Sequence, residues 1–216
     1  MIPIASVFTM PAPPSSALLP LFPLGTVLFP DGPLLLRIFE LRYLDMIGKC
    51  HETDAPFGVV CLTEGSEVRR PEAVEAFCEV GTLARITEFE RAQPGLLHIR
   101  CTGTHRFRIE RSERLKNGLW IAEVQPLPGD LPVPVPDDLR EPADALARLL
   151  QTLQDGGDPR VPPPPWRLND CGWVANRWAE LLPLRGALRQ RLMALDNPLL
   201  RLELVGDLLN RGERAS

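Results

Sequence analysis

Proline decides where this chain can be helical. It supplies 24 of the 216 residues, about twice ordinary usage, and each one removes a backbone donor and fixes φ. Residues 126–165 hold 11 of them, nine in PLPGDLPVPVP and VPPPP, two stretches that favour extended polyproline connectors. Between these the spacing predicts a helix from about Asp138 to Gln154, with Leu139, Leu146, Leu149, Leu150 and Leu153 as its apolar stripe. At the other end, Pro3, Pro11, Pro13 and Pro14 make residues 1–17 an irregular leader. It lacks the basic start of a signal peptide and is expected to be dispensable for folding. The apolar stretch Leu18–Phe29 is cut by Pro20 and Pro23 and falls short of the ~20 apolar residues of a membrane helix.

From Leu18 to about Pro128 the pattern reads as strands. The runs 34–39, 57–62, 83–89, 96–102, 106–111 and 119–124 are short and apolar, with Gly, Pro, Asn or Asp between them. Gly103, between two of these runs, reads as a turn. One helix interrupts them from Glu40 to about Cys50, where Leu41, Leu44 and Ile47 keep helical spacing. After Trp166 the chain reads as helical to its end. Val174, Trp178, Leu181 and Leu182 share one face, and Leu184, Leu188, Leu192 and Leu195 continue the period. The last helix has Asn197 as N-cap, Pro198 in the first position and Gly212 at its C-terminal end.

Charge and cysteines narrow the function. A net charge of −4 argues against a dedicated polyanion binder. Five cysteines at irregular spacing, without a C-x-x-C, fit reduced thiols in a cytoplasm better than a disulfide framework. No metal-ligand spacing, nucleophile elbow or dinucleotide fingerprint occurs. Gly48-Lys49 is followed by Cys50 and has no glycine five residues before it, so it is no phosphate loop. Cys50-His51 and Cys101/His105 read as core thiols and surface imidazoles. No catalytic residue, cofactor or metal is expected.

The block Leu19-Pro20-Leu21, Pro23-Leu24, Pro30 and Phe39-Glu40-Leu41-Arg42-Tyr43 is distinctive. With Gly58-Val59-Val60, Val80-Gly81-Thr82-Leu83-Ala84 and Gly103-Thr104-His105-Arg106-Phe107-Arg108-Ile109, it resembles the substrate-binding N-terminal domain of Lon proteases. That domain also occurs in cereblon and in stand-alone bacterial proteins, and the helical tail LRQRLMALDNPLLRLELVGDLLN is similar to the helical part that follows it. The resemblance implies an α+β fold: a PUA-like β pseudo-barrel with one inserted helix, then a C-terminal helical bundle. The expected organisation is a leader over 1–17, a Lon N-terminal-like β domain over 18–128, a Pro-rich connection with one helix over 129–165, and a helical subdomain over 166–216. Nothing in the sequence resembles the ATPase or peptidase modules of a complete Lon.

Two groups of residues are candidates for binding. Trp166, Trp173 and Trp178 cluster beside the second Pro-rich stretch, as a peptide-binding lip or as cement between the two halves. Arg106 and Arg108 are expected to share one strand face within the basic run 98–116, with Phe107 and Ile109 opposite. The leading expectation is a non-catalytic module that binds unfolded or exposed polypeptide, as adaptor, chaperone-like holder or regulator. RNA binding by the PUA-like barrel is the alternative, weakened by the interleaved Glu110 and Glu113. Glu40, Arg42 and Tyr43 read as a charged helix start tied to a neighbouring strand rather than as a peptide rim.

Overall fold

Pro20 and Pro23 lie inside the first strand, β1 (Leu19–Leu24), although it has neighbours on both sides. The pairing is staggered to allow this. Pro20 lies where β1 is paired only with β7 (Trp120–Pro126), and Pro23 where it is paired only with β3 (Phe57–Glu64). Each proline therefore has one side on which its missing N–H is not required. The computed structural model describes residues 18–64 and 75–213, with side chains described to residue 210. The expectations for residues 1–17 lie outside the described residues.

The other strands are β2 (Pro33–Ile38), β4 (Ala76–Phe77), β5 (Val80–Gln93) and β6 (Leu96–Arg114). The pairings β1–β7, β7–β6, β6–β5 and β5–β3 are antiparallel, and a parallel β3–β1 pairing closes the circuit. β2 adds to β6, and β4 adds to β3. The α+β expectation holds: a mainly antiparallel sheet is accompanied by helices α1 (Leu41–Thr53), α2 (Arg140–Asp155), α3 (Cys171–Leu181), α4 (Gly186–Ala194) and α5 (Pro198–Glu213).

Two local readings are corrected. Gly103 is not a turn; β6 runs through it as one 19-residue strand. The loop after β1 lies against it, with Asp31 N–H donating to Gly103 O at 2.8 Å and Gly103 N–H to Gly32 O at 2.9 Å. A Cβ at Gly103 would stand 2.1 Å from the Phe29 carbonyl oxygen, so only glycine permits the approach. The helical tail is not continuous either. Leu182, which precedes Pro183, takes extended geometry and ends α3. Arg189 of α4 then donates to the carbonyls of Ala179 (3.1 Å) and Leu182 (3.0 Å), capping the broken end. α5 starts as its sequence predicts, with Leu200 N–H donating to Asn197 Oδ1 at 3.1 Å, but it continues through Gly212 to Glu213.

Three apolar clusters hold the fold. Leu21, Val60, Phe107 and Ala122 pack on one face of the closed sheet, and Phe22, Phe57, Val59 and Ile99 pack with Tyr43, Met46 and Ile47 of α1 on the other. The third joins α2, α3, α4 and α5 through Leu146, Leu150, Val174, Trp178, Met193 and Leu202, and reaches Val27, Cys61 and Val80 of the strand half. α2 is therefore part of the same core as the tail, with Trp178 Nε1–H donating to Pro142 O at 2.9 Å.

Candidate functional site

The Phe39–Tyr43 stretch turns its charges inward and its apolar groups outward. Arg42 is buried. Its Nη1 donates to Gly118 O at 2.7 Å, its Nε to Glu40 Oε2 at 3.0 Å, and Nη2 lies 3.5 Å from Glu75. Tyr43 stacks on Phe22 at 3.9 Å, and burial raises the pKa of its hydroxyl. The reading of Glu40, Arg42 and Tyr43 as a tied helix start matches this geometry. In contrast, Phe39 is 59% exposed and Leu41 77% exposed. Leaving two such side chains in water forgoes about 1.5–3 kcal/mol apiece, which folding alone does not explain.

Leu41 leads into a groove. At helical spacing it is followed by Leu44, Asp45 and Gly48, which form one wall of a cleft of about 620 Å³. The opposite wall comes from Phe89 and Arg91 of β5 and from the β5–β6 turn at Pro94-Gly95. Phe89 is fixed by His51 of α1, whose ring stacks on it at 4.1 Å. Gly48 has no atom within 4 Å of where a Cβ would stand, so the groove floor is open at that point. β5 also has a free edge here. Its pairing with β3 ends at Phe57–Ala84, and no other described strand pairs along Arg85–Gln93 on that side.

The sequence-predicted binding residues lie elsewhere. Trp173 and Trp178 are 6% and 7% exposed and belong to the helical core. Trp166 is half-buried, donating from Nε1 to Pro162 O at 3.0 Å. Arg106 and Arg108 alternate on one face of β6 as expected, but only Arg108 is left in solvent. The α4–α5 corner covers Arg106, whose guanidinium donates to the carbonyls of Met193 (3.1 Å), Leu195 (3.4 Å) and Pro128 (3.3 Å) and pairs with Asp196 at 3.0 Å. Arg108 remains exposed, 3.8 Å from Glu79. The expected basic stripe thus loses its central member to the core, because a covering helix is not visible in strand alternation.

No activated nucleophile emerges from the thiols. Burial raises the pKa of all five, Cys101 up to about 12, whereas a nucleophilic thiol needs the reverse. Cys101 is buried while His105 is exposed, and His51 faces Phe89. A second cleft of about 340 Å³, between the loop after β1 and α3–α4, has its charges already engaged: Glu180 with Arg177, Arg189 with the α3 carbonyls, Arg160 with Asp158. Among the described residues no cluster of His, Cys, Asp and Glu has the makings of a metal site, and no helix is long and apolar enough to cross a membrane.

A closed, mainly antiparallel sheet carrying one helix, followed by a helical layer and bearing a cleft beside that helix, defines an α+β module. Comparison with known proteins places it. Residues 18–211 match the ATP-dependent protease La (LON) substrate-binding domain, and the chain belongs to that family. A Lon N-terminal domain protein from Xanthomonas campestris is 34% identical, with a TM-score of 0.68 over 88% of this chain and 96% of that one. The N-terminal domain of a Mycobacterium avium complex Lon protease shares the fold at 16% identity, with a TM-score of 0.58 over 88% of this chain and 97% of that one. A LON peptidase N-terminal domain and RING finger protein of Schizosaccharomyces pombe is 34% identical over 100 residues, 42% of this chain. The chain matches only 20% of that relative's length.

The groove was hidden from sequence reasoning because Phe39 and Leu41 look like ordinary core residues. The available signal was the charge pattern: Glu40, Arg42 and Tyr43 satisfy one another inside, which forces their neighbours out.

Proposed function

We propose that this chain is a non-catalytic polypeptide-binding module and that its client, an unfolded apolar segment, lies in the groove between α1 and the β5–β6 hairpin. The observation that carries the reading is the exposure of Leu41, one helical turn before Leu44 and Asp45 of the cleft wall, with Phe39 exposed just ahead of α1. An extended segment would set alternate apolar side chains against Leu41, Leu44 and Phe89, with the free edge of β5 beside it to receive main-chain hydrogen bonds. The family's description as a substrate-binding domain supports the same client class. In this reading the protein acts as an adaptor or chaperone-like holder in a reducing cytoplasm.

The test is binding of a permanently unfolded, reduced and alkylated polypeptide to the protein and to a Phe39→Ser/Leu41→Ser double variant. Affinity should fall about tenfold or more while the thermal midpoint stays in place, since both side chains are already in water. Equal affinity in the two proteins removes the groove as the site.

A further inference from the structure

We propose that Cys61 and Cys78 form a reversible redox couple, able to close a disulfide across the β3–β4 pair. The two residues face each other at the end of the sheet. Cys78 N–H donates to Cys61 O at 2.9 Å, and the neighbouring residues Leu62 and Phe77 are in register. Directly opposed residues of antiparallel strands have Cα atoms about 4.5–5.5 Å apart, within the span a disulfide bridges. The Cys61 thiol donates to Leu62 O at 3.6 Å, and Cys78 is its direct neighbour across the pair. Cys61 is buried and Cys78 half-buried, so one thiol is reachable from solvent and the other waits behind it.

The chemistry needs a small disulfide such as oxidised glutathione as oxidant. The Cys78 thiolate attacks it, forming a mixed disulfide and expelling one glutathione thiolate. The Cys61 thiolate then attacks the Cys78 sulfur, forming the Cys61–Cys78 bond and expelling the second. The two thiol protons pass to the two glutathione thiolates, and the pair is oxidised by two electrons.

The bond would lock a fragile element. β4 has two residues and ends the sheet order, and among the described strands it pairs with β3. Immediately before it, Glu75 receives Trp120 Nε1–H at 2.8 Å and lies 3.4 Å from Arg114 and 3.5 Å from Arg42. Opening of β4 releases that anchor of α1, β6 and β7. The disulfide therefore makes the hold on α1 sensitive to thiol redox state.

Peptide mapping under non-reducing conditions, after exposure of the full chain to oxidised glutathione, tests this. The expected product is a single Cys61–Cys78 link, with Cys50, Cys101 and Cys171 still free. Cys61→Ser should trap glutathione on Cys78, and Cys78→Ser should leave Cys61 unmodified; Cys61→Ala serves if the serine variant does not fold. The oxidised protein should exchange its Cys78 amide about tenfold more slowly. A Cys50–Cys101 link, links between chains, a stable glutathione adduct on Cys78 of the unsubstituted protein, or no reaction at either thiol overturns the proposal.

Discussion

Arg177 and Glu180, one turn apart on α3, are joined twice: Nε to Oε2 at 2.7 Å and Nη2 to Oε1 at 2.9 Å. The same guanidinium donates to Pro30 O at 2.9 Å and lies 5.5 Å from the Trp173 ring centre. Gly32 passes so close to Glu180 that a Cβ there would stand 1.9 Å from Oε1. One ion pair thus fastens the loop after β1 to the helical layer.

That arrangement makes stability depend on pH through Glu180. Burial pushes its carboxyl up to about 7 against the opposing pull of Arg177. A raised carboxyl pKa means that the folded state holds the proton more tightly than the unfolded chain. This contribution is therefore complete below the unfolded value of about 4.3 and is lost as pH rises to about 7. Urea denaturation across that window should show a loss of at most about 4 kcal/mol that Glu180→Gln abolishes. An identical pH profile in the variant would place the titration elsewhere.

Arg106 and Arg108 should separate sharply. Arg106→Ala leaves the Met193 and Pro128 carbonyls without this donor and frees the exposed Asp196, while Asp130 and Leu195 O keep Arg201. Leaving such buried acceptors without a partner costs about 1–3 kcal/mol. Arg108→Ala touches one exposed contact and should stay within about 0.5 kcal/mol. Equal effects in chemical denaturation would contradict the burial difference.

Much of the fold was legible because proline, glycine and apolar runs are local signals. Most of the strand runs, the helix after Phe39 and the Asn197-Pro198 start of α5 follow from neighbours in sequence. What escaped was long-range. The parallel β1–β3 pairing joins Leu21 to Gly58, and no periodicity announces it. Gly103 reads as a break until the Phe29 carbonyl is known to lie on it. Arg106 alternates like a surface residue, and only the α4–α5 corner makes it a core one. The site escaped for the same reason, since exposure of Leu41 depends on which face of α1 the sheet takes.

Trp173 should behave as a structural residue. It is buried in the helical core, and its backbone N–H donates to the N-cap carboxylate of Asp170 at 2.9 Å. Trp173→Ala leaves the cap but empties the ring's volume, at a cost of about 3–5 kcal/mol. Under conditions where the variant remains folded, its affinity for unfolded polypeptide should be unchanged. Weaker binding by a fully folded variant would return the tryptophans to the binding site.

Gly48 gives the decisive variant for the groove. It lies within α1, where glycine costs about 0.5–1 kcal/mol relative to alanine, and a Cβ there meets nothing within 4 Å. Folding alone would favour alanine, so Gly48→Ala should raise stability by about that amount with little change in binding. Gly48→Trp directs a large ring into the space between Leu44 and Phe89 without striking the backbone. Its stability should stay within about 1 kcal/mol of the parent, while affinity for unfolded polypeptide falls about tenfold or more. Denaturation and binding measured on the same preparations tell the two effects apart. A folded Gly48→Trp protein that binds its client at full strength would mean that the client lies outside this groove. A graded loss from Ala to Trp at constant stability would mark the groove floor as the contact surface.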